Sequence, residues 1–234
     1  MLLRKLKDIT FVYRHAYPEV LMSALEKDKN HVYLPTYYEG KNVCYAFIEP
    51  SFLKEGNTYY ELLPNHLNSI DSAAYYALIL NSGVFKTYMG SASIANRRVI
   101  VKTSVLGDFD IPYFEDVELQ NALVKVEKII EHLLWCHKQG LSLSYAELKM
   151  STFELLREAL VWSLYCEPIM ENHQLHILLD WKQFCNQYDH ISDINAFVDE
   201  VLQQFIIHEN PLKAEMLMVS YIESELKSYY KSRL

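Results

Sequence analysis

No uninterrupted apolar run reaches the ~18 residues that a membrane-spanning helix needs, although half of the 234 residues are hydrophobic. That apolar content is therefore free to build an interior, enough for one large domain or two small ones. The opening residues Met1-Leu2-Leu3-Arg4-Lys5-Leu6-Lys7-Asp8 carry charges where a secretory signal would place its apolar segment, which points to a cytoplasmic protein. Cysteine is scarce. Cys44, Cys136, Cys166 and Cys185 lie far apart with no Cys-x-x-Cys among them, which argues against a zinc ribbon and a disulfide framework and leaves buried free thiols.

Patterns that carry chemistry are equally few. His132 with Cys136, and His173 with His176, have spacings that share a helix face, but no second ligand pair accompanies either, so no metal site is expected. There is no Gly-x-Ser-x-Gly, and no Cys/His arrangement suggests a hydrolase. A two-metal nuclease needs clustered carboxylates with a lysine. Glu147-Leu148-Lys149 and Glu225-Leu226-Lys227 supply only the Glu-x-Lys fragment, in patterns that read as solvated helix faces. The sequence offers no catalytic residue and calls for no cofactor.

Positive charge is also in short supply, with a formal net charge of −8. Non-specific affinity for DNA comes largely from neutralising phosphates, so this balance weighs against a free-standing nucleic-acid binder unless the acid is segregated. Locally it is: Lys86, Arg97, Arg98 and Lys102 fall in a stretch without Asp or Glu, while acids crowd into Asp108 to Glu118 and the C-terminal region. Tyrosine, by contrast, is abundant, with 18 copies. Most are expected to fill the core and margins of a β-sheet with their hydroxyls reaching water. Tyr37, Tyr38, Tyr59, Tyr60 and Tyr88 could instead contact sugars, bases or phosphates.

The first part of the chain reads as a small α/β domain, 1–114, with a β-sheet core. Leu6, Ile9, Phe11 and Tyr13 suggest a strand across residues 2–15. A short helix is expected from Glu19 to Lys27, and a hairpin from His31 to Ile48 around a turn at Glu39-Gly40-Lys41-Asn42. Glu55-Gly56-Asn57 is a second turn, followed by a strand from Thr58 to Leu63. Ser69 or Asp71 can cap a helix from Ala73 to Leu80. Beyond it come Asn81-Ser82-Gly83, Phe85-Lys86-Thr87-Tyr88, a basic loop Ser91 to Arg98 and a β-rich run Val99 to Lys102. A polar loop displayed between rigid elements suits recognition more than catalysis. From Glu115 the character changes. Leu119, Leu123, Val126, Ile130 and Leu133 recur at three- and four-residue steps, predicting an amphipathic helix over 117–138. Helices follow over about 144–166, 173–187, 193–208 and 212–231, making 115–234 a helical domain and the whole an α+β chain.

One order of features resembles a known family. Leu80-Asn81-Ser82 at a helix end, a basic loop, a strand, Leu106 followed by Ile111-Pro112, and an acidic helix start containing Gln120 resemble the closing part of a target recognition domain. That domain is the DNA-reading module of type I restriction specificity subunits and of TaqI-like and type IIG adenine-N6 DNA methyltransferases. The run Phe153 to Tyr165 is similar to a helix near the C-terminus of those methyltransferases, with Glu158 or Ala159 where the family has Asp and Ser163 where it has Glu. His208-Glu209-Asn210-Pro211-Leu212 and Ser220-Tyr221-Ile222-Glu223 resemble the family's ending. The methyltransferases also need a Gly-rich S-adenosylmethionine loop and an Asn-Pro-Pro-Tyr motif. Here no Gly-x-Gly and no Asn-Pro-Pro occurs.

The resemblance therefore implies a DNA sequence-recognition (specificity) module of a restriction-modification system without the catalytic domain, not an enzyme by itself. Its implied partners are double-stranded DNA and a methyltransferase or restriction subunit, with no membrane, and with self-association as a homodimer open to it. Lys86, Tyr88, Asn96, Arg97, Arg98 and Lys102 are the expected DNA-binding residues, reaching phosphates or guanine edges. Gln120 and its helix would be structural. The alternative is a protein-interaction or assembly module docking through its helical half, a reading the negative net charge favours.

Overall fold

A computed structural model describes residues 2–16, 31–39, 46–64, 73–90, 94–95, 98–141, 144–207 and 210–234, with the backbone alone at Tyr38, Glu39, Pro64, Ile94, Ala95, Arg98, Val99 and Ile207. The fold is mixed α+β, and the chain divides into two compact units, Met1–Glu115 and Asp116–Leu234. The expected helix at Glu19–Lys27, the turn at Gly40–Asn42 and the capping residues Ser69 and Asp71 lie outside the described residues.

In the first unit, β1 (Leu2–Lys5) runs antiparallel to β8 (Asp110–Tyr113). Lys5 pairs with Asp110 at 2.8 Å, Lys7 with Asp108 at 2.6 Å, and the Arg4 guanidinium sits 4.1 Å above the Tyr113 ring. The strand expected across 2–15 is broken by a helical turn, α1 (Leu6–Ile9), before β2 (Thr10–Ala16). The cause is spacing. Leu6 and Ile9 are both buried and three residues apart, which one helical turn can satisfy and a strand cannot. Phe11 and Tyr13, the other members of the supposed alternation, are exposed.

The expected hairpin is also revised. β3 (Val32–Pro35) and Phe47 exchange backbone bonds through Tyr33, at 2.8 and 2.9 Å, so the chain does return beside β3. The segment between them, β4 (Tyr37–Glu39), leaves for a different sheet. One sheet has the order β2-β5-β3, with β5 (Thr58–Pro64) antiparallel to both neighbours. The other has the order β4-β7-β6, formed with β6 (Ile94–Ala95) and β7 (Arg98–Ile100).

Helix α2 (Ala73–Leu80) is buried on every side, consistent with a segment apolar all round. Asn81-Ser82 then serves as a junction. The Ala46 N–H donates to Asn81 Oδ1 at 2.6 Å and Asn81 Nδ2 donates to the Ala46 carbonyl at 3.0 Å, so a side chain stands in for a strand partner. Ser82 Oγ donates to the Ile79 carbonyl at 2.6 Å. Phe85-Lys86-Thr87-Tyr88 belongs to a second helix, α3 (Gly83–Gly90), rather than to a loop. A short α4 (Thr103–Gly107) precedes β8.

All regular elements described in the second unit are helices: α5 (Val117–Lys138), α6 (Ala146–Tyr165), α7 (Glu167–Asn172), α8 (Ile177–Gln187), α9 (Ile194–Ile207), α10 (Pro211–Tyr221) and α11 (Glu223–Lys231). Asp116 caps α5, accepting from Leu119 N at 3.0 Å, and Leu123, Val126, Ile130 and Leu133 face the interior. Gln120 is buried on the same helix. α6 is the central helix of the unit, burying Phe153, Leu156, Leu160 and Trp162. Pro168, read as a stop, falls in the first turn of α7, where a missing N–H costs nothing.

Candidate nucleic-acid interface

A cleft of about 450 Å³ opens in the first unit, lined by Arg14, Thr36, Tyr37, Tyr60, Ile100, Val101, Lys102 and Thr103. Its floor is tied by polar contacts. Tyr60 donates its hydroxyl to the Val101 carbonyl at 2.8 Å, Thr103 Oγ1 donates to Tyr60 at 3.2 Å, and Val101 N donates to the Thr36 carbonyl at 2.9 Å. Tyr37 is held by a hydroxyl bond to Asn57 Oδ1 at 3.2 Å. Arg14 stands opposite Tyr60 in the β2–β5 register, and Tyr37 opposite Ile100 in β4–β7. Arg14 and Lys102 are exposed, and among the described residues neither side chain makes a hydrogen bond or an ion pair. Among the described residues the cleft therefore offers two unpaired cations suited to phosphate oxygens, over a floor whose Tyr37, Tyr60 and Thr103 hydroxyls already donate within the protein.

Of the six residues expected to bind DNA, Lys102 lines this cleft. Lys86 and Tyr88 are half-buried on α3 and are not among its lining residues. The Tyr88 hydroxyl donates to the Val105 carbonyl at 2.9 Å and its ring packs against Phe109, so it helps to hold α4 and the turn into β8. Burial, and after it the Asp108 and Asp110 carboxylates, push that hydroxyl above its ordinary pKa. Asn96 and Arg97 lie outside the described residues. Of Arg98 the backbone is described: it opens β7 and pairs with Ala95 of β6. The basic stretch thus borders a strand pair and is not a single loop between helix and strand.

The charge is divided unevenly. Met1–Glu115 holds twelve Lys and Arg against twelve Asp and Glu, a formal charge of zero, whereas Asp116–Leu234 holds ten against eighteen, the whole −8. Asp108 and Asp110 are matched by Lys7 and Lys5. The acidity that counts against phosphate binding therefore belongs to the helical unit.

Two features escaped the sequence reading. Arg14 is one; it belongs to the cleft only because β2 pairs with β5. The other is a buried cluster formed by β2, β5 and the residue preceding β3. The Glu61 carboxylate, 1 % exposed, lies 2.8 Å from His31 Nδ1 and 3.1 Å from His15 Nε2. Burial first, and Glu61 second, push the Tyr33 hydroxyl up to about 12. Neither His15, Glu61 nor His31 lines the cleft.

The spacings first considered for metal resolve otherwise. His132 Nε2 lies 3.0 Å from Asn195 Oδ1 and 3.5 Å from the Cys136 sulfur, while His173 and His176 fall between α7 and α8 and not on one helix. No group of three His, Cys, Asp or Glu side chains among the described residues is placed to hold a metal ion. Lys149, expected on a solvated face, is buried against Asp199 at 2.6 Å. Cys136, Cys166 and Cys185 are free and buried. No helix among the described residues is long and apolar enough to cross a membrane.

The second unit has its own surface feature. A groove of about 350 Å³ between the end of α5 and the start of α6 is lined by Leu133, Leu134, Leu141 and Met150 with Glu147 and Glu154. Trp135, Tyr145 and Leu148 are exposed on the same two helices and the segment joining them. Compared with known proteins, the chain matches no family model, no curated protein and no solved structure.

Proposed function

We propose that the chain is a DNA sequence-recognition module of the restriction-modification type, working in the cytoplasm beside a separate methyltransferase or restriction subunit and carrying no catalysis itself. The observation that carries this reading is the pair of cations, Arg14 and Lys102, unpaired among the described residues and lining one cleft of the charge-neutral unit. Lys102 follows β7, the strand that Arg98 opens. Arg97 and Arg98, the arginine pair of the basic stretch in the sequence, contact phosphates or guanine edges in this proposal, where a bidentate arginine contributes about 1–3 kcal/mol of discrimination. The helical unit, acidic and grooved, docks the module on its partner.

The test is binding of duplex DNA by two double variants, Arg97→Ala with Arg98→Ala and Arg14→Ala with Lys102→Ala. Each should weaken affinity while leaving circular dichroism unchanged. Unchanged affinity at low salt would remove the substituted pair from the interface.

A second reading, an assembly module that does not read DNA, draws on the apolar groove beside α5 and α6 and on the −8 charge of the unit that carries it. It predicts a stable complex with a protein partner and no DNA affinity in any variant.

A further inference from the structure

We infer that the cleft holds a single nucleotide unit, either one everted from DNA or a free nucleoside phosphate. The first source rests on the DNA-recognition reading; the second does not. Volume decides between a nucleotide and a duplex. About 450 Å³ falls within the ~300–1,000 Å³ of small-ligand pockets. A duplex, whose major groove alone is ~12 Å wide, can meet only the rim of such a space. What enters must be a fragment of a nucleic acid or a molecule of that size.

The walls select the chemistry. Arg14 and Lys102 supply charge for a phosphate, and an arginine fork matches phosphate oxygens in two parallel bonds. Ile100 is 41 % exposed, an apolar side chain at the cleft directly opposite Tyr37 in the strand register. Together they form an apolar and aromatic surface on which a base or sugar can lie, and the Tyr37–Asn57 bond fixes the ring before any ligand arrives. Tyr60, Val101, Thr36 and Thr103 satisfy one another at the floor, so the cleft is formed in advance. Phosphate on the cations and base on Ile100 and Tyr37 use every wall of the site.

The experiment titrates the full chain with inorganic phosphate, deoxyadenosine monophosphate, a fully paired duplex and the same duplex carrying one bulged nucleotide. The mononucleotide should bind more tightly than phosphate, and Arg14→Ala should weaken it about tenfold or more, as expected for a charge-assisted bond. Ile100→Ser should weaken the mononucleotide and leave phosphate unchanged. Tighter binding of the bulged duplex, displaced by mononucleotide, identifies an everted nucleotide as the source. Mononucleotide binding without that preference identifies a free one, and if no DNA binds at all the inference stands while the DNA reading falls. Duplex binding that Arg14→Ala weakens, with no mononucleotide affinity and no preference for the bulge, would overturn the inference and leave the DNA reading in place.

Discussion

Replacing Asn81 with alanine tests why Leu80-Asn81-Ser82 stands where it does. Asn81 is 1 % exposed, and its amide both accepts from and donates to the backbone of Ala46, itself buried. Asn81→Ala leaves one buried N–H and one buried C=O without these partners. Each such orphan costs about 1–3 kcal/mol, so the pair should cost about 2–6 kcal/mol. With a urea dependence of about 2 kcal/mol per molar, the midpoint should fall by roughly 1–3 M. The assay must report the first unit. Trp135, Trp162 and Trp181 all lie in Asp116–Leu234, so tryptophan fluorescence follows the helical unit, and amide exchange at Ala46 with far-ultraviolet circular dichroism is the appropriate pair. Asn81→Asp keeps the acceptor, loses the donor and buries a charge, and should be at least as damaging. A loss below about 0.5 kcal/mol, typical of an inconsequential surface change, would refute the view that this asparagine is a backbone tie.

Other outcomes follow from the helical unit. Glu127 and Arg157 form a pair at 3.4 Å, both almost fully buried; Glu127→Ala should cost about 3–5 kcal/mol in chemical denaturation, and Glu127→Leu with Arg157→Met distinctly less, because the double change leaves no buried charge unpaired. Asp116→Ala, which removes the cap of α5, should cost about 1 kcal/mol. The bond from Lys182, and after it that from Leu119 N, hold the Asp116 carboxyl below its ordinary pKa. Its contribution is therefore present above the ordinary carboxylate pKa and is lost as pH falls through the folded value; denaturation of wild type and Asp116→Ala should converge in acid, and a gap that persists there would contradict this. Burial pushes the Cys166 and Cys185 thiols up to about 12, and Cys136 is buried as well. A thiol reagent near pH 8 should label no more than Cys44 in the folded chain, and rapid labelling of three or four cysteines would show that burial misassigned.

Much of the helical half is legible in the sequence because helix periodicity is a short-range signal. Leu123, Val126, Ile130 and Leu133 mark the buried face of α5 without knowledge of any partner. Proline is less readable, since the same residue ends one helix or begins the next. Pro168 and Pro211 both begin one. Strand positions from Thr58 to Leu63 follow from β propensity and the Gly56 turn, whose φ of +83° suits glycine.

Strand partners are another matter. Nothing near Tyr37 indicates that it pairs with Ile100, and nothing near Arg14 indicates Tyr60, so the cleft assembled by those pairings could not be foreseen. The His15–Glu61–His31 cluster was hidden for the same reason, its members being joined only by the β2-β5-β3 register and the residue before β3. Lys86 and Tyr88 were legible as residues following a helix, but their own place on α3 and their side-chain environment were not. Tyr88 spends its hydroxyl on Val105.

The most direct measurement of the central proposal is the salt dependence of binding to pooled random duplex DNA by the purified chain. If Arg14, Lys102, Arg97 and Arg98 each neutralise one phosphate, log affinity should fall with log salt at a slope of about −3.6, roughly a hundredfold loss between 50 and 200 mM. Removing Arg14 and Lys102 should flatten the slope by about 2, and the retained DNA should enrich one sequence. No binding at low salt, or binding with a slope unchanged in that variant, would contradict the account.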